Sequence, residues 1–163
     1  MKNGLVISDT GPIFSLAIID KLNILENLFD NVFIPTAVWE ELTKNQSPEY
    51  YAKIVLFFQN RIKEIKGFNE LTFVMDYGES EAIVLYKDLY ADYLLIDDKK
   101  ARNIAENLGI QCIGTIGLLS NAREKGIISE LRPLFEAFLK NKRYYSLDLL
   151  NSILRVHQED EIK

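Results

Sequence analysis

The residues best placed to do chemistry are carboxylates at the ends of apolar runs. The stretch GESEAIVLYKDLYADYLLIDDKKAR, Gly78 to Arg102, carries Glu79 and Glu81 at the start of a helical pattern and Asp97 and Asp98 directly after a strand pattern. Asp9 likewise follows the short apolar run Leu5-Val6-Ile7. Ionised carboxylates that meet where a sheet packs on its helices repel one another, by about 3 kcal/mol for a pair 5 Å apart at an effective dielectric near 20. A cation between them removes that penalty. Oxygen-only donors suit Mg2+ or Mn2+.

The elements that would position these acids follow from the pattern. Leu5-Val6-Ile7 reads as a buried strand delivering Asp9 to its C-terminal edge, before the break Thr10-Gly11-Pro12. Two helical stretches follow, then a strand Val32-Phe33-Ile34 closed by Pro35, and a helix Ala37 to Lys44 with Thr36 as its N-cap. A helix is expected within Pro48 to Arg61 and a short strand at Ile62 to Ile65. Glu79 to Tyr90 reads as a helix, Tyr93 to Ile96 as a strand, Ala101 to Leu108 as a helix stopped by Gly109, and Ile110 to Ile113 as a last strand. Short apolar strands alternating with helices predict an α/β domain with a mostly parallel central sheet flanked by helices. In such sheets, function collects outside the carboxyl ends of the strands.

Helical geometry discriminates between neighbouring acids. Glu41 lies about 60° from Val38 on the apolar stripe of its helix, and Glu40 about 160° from it, so Glu41 is the inward-facing choice. In the next acidic helix the stripe Ala82, Tyr86, Leu89 and Tyr90 includes Glu79 within its arc and leaves Glu81 near the edge. The run Leu94-Leu95-Ile96 is apolar on both faces and leaves Asp97 and Asp98 equivalent.

Composition narrows the chemistry further. The chain has 163 residues, 48% of them hydrophobic, enough for one domain with a true core. Residues 1–155 are expected to form it, with 156–163 a frayed, charged tail. A single cysteine, Cys112, precludes an intrachain disulfide and a thiolate-rich zinc site, and a single His157 argues against imidazole-based sites and Ser/His/Asp catalysis. No apolar run reaches the roughly 20 residues of a membrane span, and no signal-type segment opens the chain, so a cytoplasmic protein is expected. The net charge of −5 argues against nucleic-acid binding by global charge, leaving local basic clusters such as Lys99, Lys100 and Arg102.

Each residue also has a structural explanation. Asp9 can stabilise a Gly-Pro turn, Glu79 and Glu81 can complement a helix dipole, and Thr115 can cap a helix. Tyr50, Tyr51, Phe57 and Phe58 read as core and rim. It is the combination of acids, in order, that points to a site.

With these residues in place, the chain resembles the PIN-domain nucleases, among them the VapC-like toxins and related PIN proteins. The pieces that carry the resemblance are ISDTGPIFSLAIIDKL, VFIPTAVWEEL, GESEAIVLYKDLYADYLLIDDKKAR and IGTIGLL, spanning about residues 5 to 120. Matched to that family, Asp9 is the first acid with Thr10 the hydroxyl after it, Glu41 the second, Glu79 the third and Asp98 the fourth. Tyr90 takes a slot that the family fills with Gly, Glu79 one where most members have Asp, and Ile96 one where they have Thr. Asp97 and Glu81 therefore stand as alternative ligands.

The resemblance implies a three-layer PIN-like fold and a Mg2+- or Mn2+-dependent endoribonuclease, the toxin of a toxin–antitoxin pair. Asp9, Glu41, Glu79 and Asp98 would be catalytic, with Asp9, Asp98 and Glu79 on the metal and Lys99, Lys100 and Arg102 on the RNA. Expected partners are an RNA substrate, a small antitoxin and a second copy of the chain, the last two through the apolar region Leu131 to Leu154 with Phe135, Phe138, Tyr144 and Tyr145. The competing readings are a PIN-like module that binds RNA or protein without efficient cleavage, and a Mg2+-dependent phosphohydrolase. Against the latter, Asp9 stands alone in its turn while the acid pair comes late.

Overall fold

A computed structural model describes residues 2–44 and 48–163. Its centre is a five-stranded parallel sheet in the order β3-β2-β1-β4-β5, formed by β1 (Leu5–Ser8), β2 (Asn31–Pro35), β3 (Ile62–Lys63), β4 (Tyr93–Leu95) and β5 (Cys112–Ile113). From β1 the chain builds outward through β2 to β3 on one side, then returns to build β4 and β5 on the other. The strand order therefore reverses between β1 and β4, and parallel sheets open a crevice at such a point, outside the carboxyl ends of the strands.

Alternation along the strands sends side chains into two cores. Val6 and Leu95 pack on one face with Leu16, Leu119 and Phe135; Ile7, Leu94 and Ile96 pack on the other with Ala82, Leu85, Ala101 and Ala105. The first face is covered largely by α1 (Thr10–Ile18), α2 (Asn23–Leu28), α4 (Pro48–Phe58), α7 (Thr115–Glu124), α8 (Arg132–Lys140) and α9 (Leu147–Val156). The second is covered by α5 (Tyr77–Asp88) and α6 (Lys99–Asn107). The helix α3 (Thr36–Lys44) runs beside α5.

Several boundaries differ from the sequence expectation, for local reasons. The helix α5 starts two residues early, at Tyr77, and stops at Asp88, because Tyr90 adopts a left-handed conformation (φ 50°) that ends it. Tyr90 is consequently 91% exposed and leaves the apolar stripe to which its spacing assigns it. The edge strands are short: β3 keeps only Ile62–Lys63 and β5 only Cys112–Ile113.

The C-terminal region also departs from expectation. Phe135 and Phe138, whose bulk suggests a partner surface, are fully buried within the chain, whereas Tyr144 is 82% exposed. The tail is tied down where fraying is expected. The Glu159 carboxylate accepts the N–H groups of Leu131 and Arg132 at the start of α8, at 2.9 and 2.8 Å. Asn151 exchanges two hydrogen bonds with the Ile162 backbone.

Candidate functional site

The register of β1 on β4 brings the first and last acids together. Ser8 stands opposite Leu95, and the Asp9 N–H donates to the Leu95 carbonyl at 2.9 Å, so Asp9 leaves the sheet beside the segment Ile96-Asp97-Asp98. Asp9 is only 6% exposed and sits at the N-cap of α1 without a side-chain capping bond. Burial pushes its carboxyl up to about 7, and the charges of Glu79, Glu41 and Asp97 add to the shift, offset in part by the Thr10 N–H.

Glu41 reaches the same place from α3. It is half-buried, while Glu40 on the neighbouring face is exposed. Its Oε2 accepts the Thr10 hydroxyl at 2.6 Å and its Oε1 accepts the Gly78 N–H at 3.1 Å. A Cβ at 78 would lie 2.8 Å from the Glu41 Cδ, so a larger residue there must displace this carboxylate. One carboxylate thus locks the starts of α1 and α5 against α3.

Glu79, in the first turn of α5, is half-buried, and its carboxyl is raised by burial and by the charges of Asp98, Asp76 and Glu41. Glu81 goes elsewhere. It is the more deeply buried of the two, at 4% exposed, and its Oε1 accepts the Ala37 N–H at 3.1 Å, serving the start of α3. The helix-face reading that puts Glu79 deeper is therefore reversed in depth.

Strand alternation continues past β4 and separates the acid pair. Asp97 follows the side of Leu95, toward α7. Its Oδ1 accepts the Thr115 N–H at 2.7 Å, and its Oδ2 accepts the Thr115 hydroxyl at 2.6 Å and the Tyr145 hydroxyl at 2.8 Å. Asp98 follows the side of Ile96, toward α5. It is exposed and caps α6 through the Ala101 N–H at 2.8 Å. Asp9 therefore has Asp97 as a charged neighbour, and Glu79 has Asp98.

The basic residues named for RNA sit at the start of α6. Lys99 and Lys100 are exposed, and Arg102 is half-buried and paired with Glu106 at 3.0 Å. Sequence reasoning misses three groups that shape the site: the Gly78 backbone, Asp76 beside Glu79, and Tyr145, which the sequence presents only as apolar surface. For Gly78 a signal exists, a glycine immediately before an acid at a helix start.

The candidate ligands among the described residues here are carboxylates, with the Thr10, Thr115 and Tyr145 hydroxyls beside them, an all-oxygen set that fits a hard divalent cation. Among the described residues, no three acidic, His or Cys side chains stand close enough to enclose an ion as they are. Glu41, Asp97 and Asp98 are turned instead onto hydroxyl and amide donors.

A family model described as a PIN domain matches residues 5–159. A solved structure, that of a PilT N-terminus domain protein from the hyperthermophilic archaeon Sulfolobus solfataricus P2, superposes with a TM-score of 0.54 at 22% identity, over 73% of this chain and 92% of that one. At that identity the likeness is one of fold. No curated protein matches the sequence.

Proposed function

We propose that this chain, which belongs to the PIN-domain family, is an endoribonuclease that hydrolyses RNA phosphodiester bonds with Mg2+ or Mn2+. The observation that carries the reading is the gathering of Asp9, Glu41, Glu79, Asp97 and Asp98 at the point where the strand order reverses, around an Asp9 whose ionisation is suppressed. A buried carboxyl with three other carboxylates as charged neighbours is where a cation would relieve the repulsion.

The resemblance implies Asp9, Asp98 and Glu79 as the ligands of the ion; Asp97, held by Thr115 and Tyr145 on the other side of β4, is the alternative that the hydrogen bonds favour. Bound there, the ion supplies a water of lowered pKa and neutralises charge developing on the phosphodiester. Glu41, whose carboxylate accepts from Thr10 and Gly78, would help to orient that water. Lys99 and Lys100, exposed beside Asp98, offset the acidic net charge where an RNA backbone would approach.

The toxin role, with an antitoxin and a second copy as partners, is the finer form of this proposal and rests on the resemblance to VapC-like toxins. No described helix is long and apolar enough to cross a membrane.

The test is cleavage of single-stranded RNA by purified protein with Mg2+ or Mn2+ and with EDTA. Asp9→Asn and Glu41→Gln should each lower the rate by at least about 100-fold with the fold intact by circular dichroism. Cleavage that persists in EDTA, or that survives both substitutions, overturns the proposal.

A further inference from the structure

We propose that Tyr145 is a positioning residue of the acidic site, reaching it from the loop between α8 and α9 and fixing the orientation in which the Asp97 carboxylate would meet a cation. The inference rests on the metal-dependent reading above and adds a residue that lies beyond the segments carrying the family resemblance.

The hydrogen-bond directions follow from valence. An ionised carboxylate only accepts, so the single Tyr145 hydroxyl proton goes to the Asp97 Oδ2, at 2.8 Å. The Ser15 hydroxyl, 2.7 Å from the Tyr145 oxygen, must then donate to it. Ser15 in turn accepts from the Arg143 Nε at 3.0 Å, and Arg143 also donates from Nη2 to the Gly11 carbonyl at 3.0 Å. The result is a one-way chain, Arg143 to Ser15 to Tyr145 to Asp97, running from a guanidinium to a carboxylate and polarised in the sense that favours the ionised acid.

Three donor groups fix the Asp97 carboxylate. A carboxylate offers about four lone-pair directions. Both on Oδ2 are used, by Thr115 and Tyr145, and one on Oδ1 is used by the Thr115 N–H. Oδ1 faces Gly114 and the Arg102 guanidinium: a Cβ at 114 would stand 3.2 Å from that oxygen and 3.1 Å from the Arg102 Nη1. Without Tyr145, Asp97 keeps only its two bonds to Thr115, and its carboxylate is less firmly oriented. The ring itself is held independently, packed 5.1 Å from Phe138, so deleting only the hydroxyl leaves the loop anchored.

The test measures Mn2+ binding alone, by isothermal titration calorimetry, on the wild type, Tyr145→Phe, Asp97→Asn, the double variant and Asp9→Asn, with kcat and KM for RNA cleavage alongside. Tyr145→Phe should weaken Mn2+ binding about tenfold and lower kcat, leave the RNA KM in place, and add nothing to Asp97→Asn. Ser15→Ala should shift affinity in the same direction by less, and it serves if Tyr145→Phe folds poorly. Wild-type affinity in a folded Tyr145→Phe, or an effect that adds in full to that of Asp97→Asn, overturns the inference while the metal reading stands. A wild type that binds no Mn2+ overturns both.

Discussion

Asp9→Asn should make the metal-free protein more stable and the metal-loaded protein relatively less so. In the folded chain the Asp9 carboxyl is raised from 3.8 to about 7, chiefly by burial. The folded state therefore holds a proton that the unfolded chain has released, and stability falls as pH rises from about 4 to about 7, then levels. A shift of that size corresponds to about 4 kcal/mol at pH 8, a ceiling because neighbouring acids share the relaxation. Asn keeps the shape and serves equally well at an N-cap, so the substitution isolates the charge. With EDTA at pH 8 the variant should melt above the wild type, by at most about 8–16 °C, since 1 kcal/mol moves a domain of this size by about 2–4 °C. At pH 4 the two should nearly coincide. Mn2+ at a hundredfold excess over its dissociation constant should then stabilise the wild type by about 2.7 kcal/mol and leave the variant unmoved. Thermal melts over pH 4–8.5, with and without the ion, decide it. A variant no more stable than the wild type at pH 8 in EDTA would refute the claim that Asp9 is held ionised at a cost.

Gly78→Ala should displace the Glu41 carboxylate, lowering RNA cleavage at least about tenfold with a smaller change in melting temperature; equal turnover would show that Glu41 has room to move. Glu81→Gln keeps an acceptor for the Ala37 N–H and should leave cleavage intact, whereas Glu81→Ala should cost about 1–2 kcal/mol in denaturant unfolding. For Glu159, burial is outweighed by the Leu131, Arg132 and Arg123 donors, so its carboxyl is held below the usual value of 4.5. Its stabilisation is present at neutral pH and lost as pH falls through that lowered value, so Glu159→Gln should destabilise at pH 7 by about 1 kcal/mol and approach the wild type as the pH drops below that value in chemical denaturation. Lys99→Ala with Lys100→Ala should weaken RNA binding and flatten its log-log salt dependence by about 0.7 for each phosphate no longer neutralised, read by fluorescence anisotropy.

Much of this site is legible in the sequence because strand ends and helix faces obey short-range rules. Val6 and Ile7 alternate between two cores, which is enough to place Asp9 at a strand terminus, and the apolar stripe of α3 is enough to choose Glu41 over Glu40. The rule fails for Glu79 and Glu81 because burial in α5 is set by two partners at once, the sheet and the start of α3. A half-turn near a second helix can be as buried as the stripe itself, and Glu81 is buried there by the orphan N–H of Ala37. Tyr90 misleads for a different reason: its spacing continues the stripe, but a left-handed cap ends the helix before it. Tyr145 has no local signal at all, since its role depends on partners 48 and 130 residues away in sequence.

The pair Asp97-Asp98 shows why two adjacent acids need not compete for one role. A strand leaving a sheet presents successive side chains to opposite faces, so any cleft that straddles the sheet edge receives one acid from each side. Asp97 is held on the α7 side by Thr115 and Tyr145, and Asp98 on the α5 side by its own helix, near Glu79. Asp9, emerging from the adjacent strand, stands between the two environments. An ion bound between Asp9 and Asp97 would meet a rigid carboxylate; one bound between Glu79 and Asp98 would meet an exposed and movable one. Asp97→Asn should consequently reduce Mn2+ affinity more steeply than Asp98→Asn, and the reverse order would place the ion on the α5 side of β4.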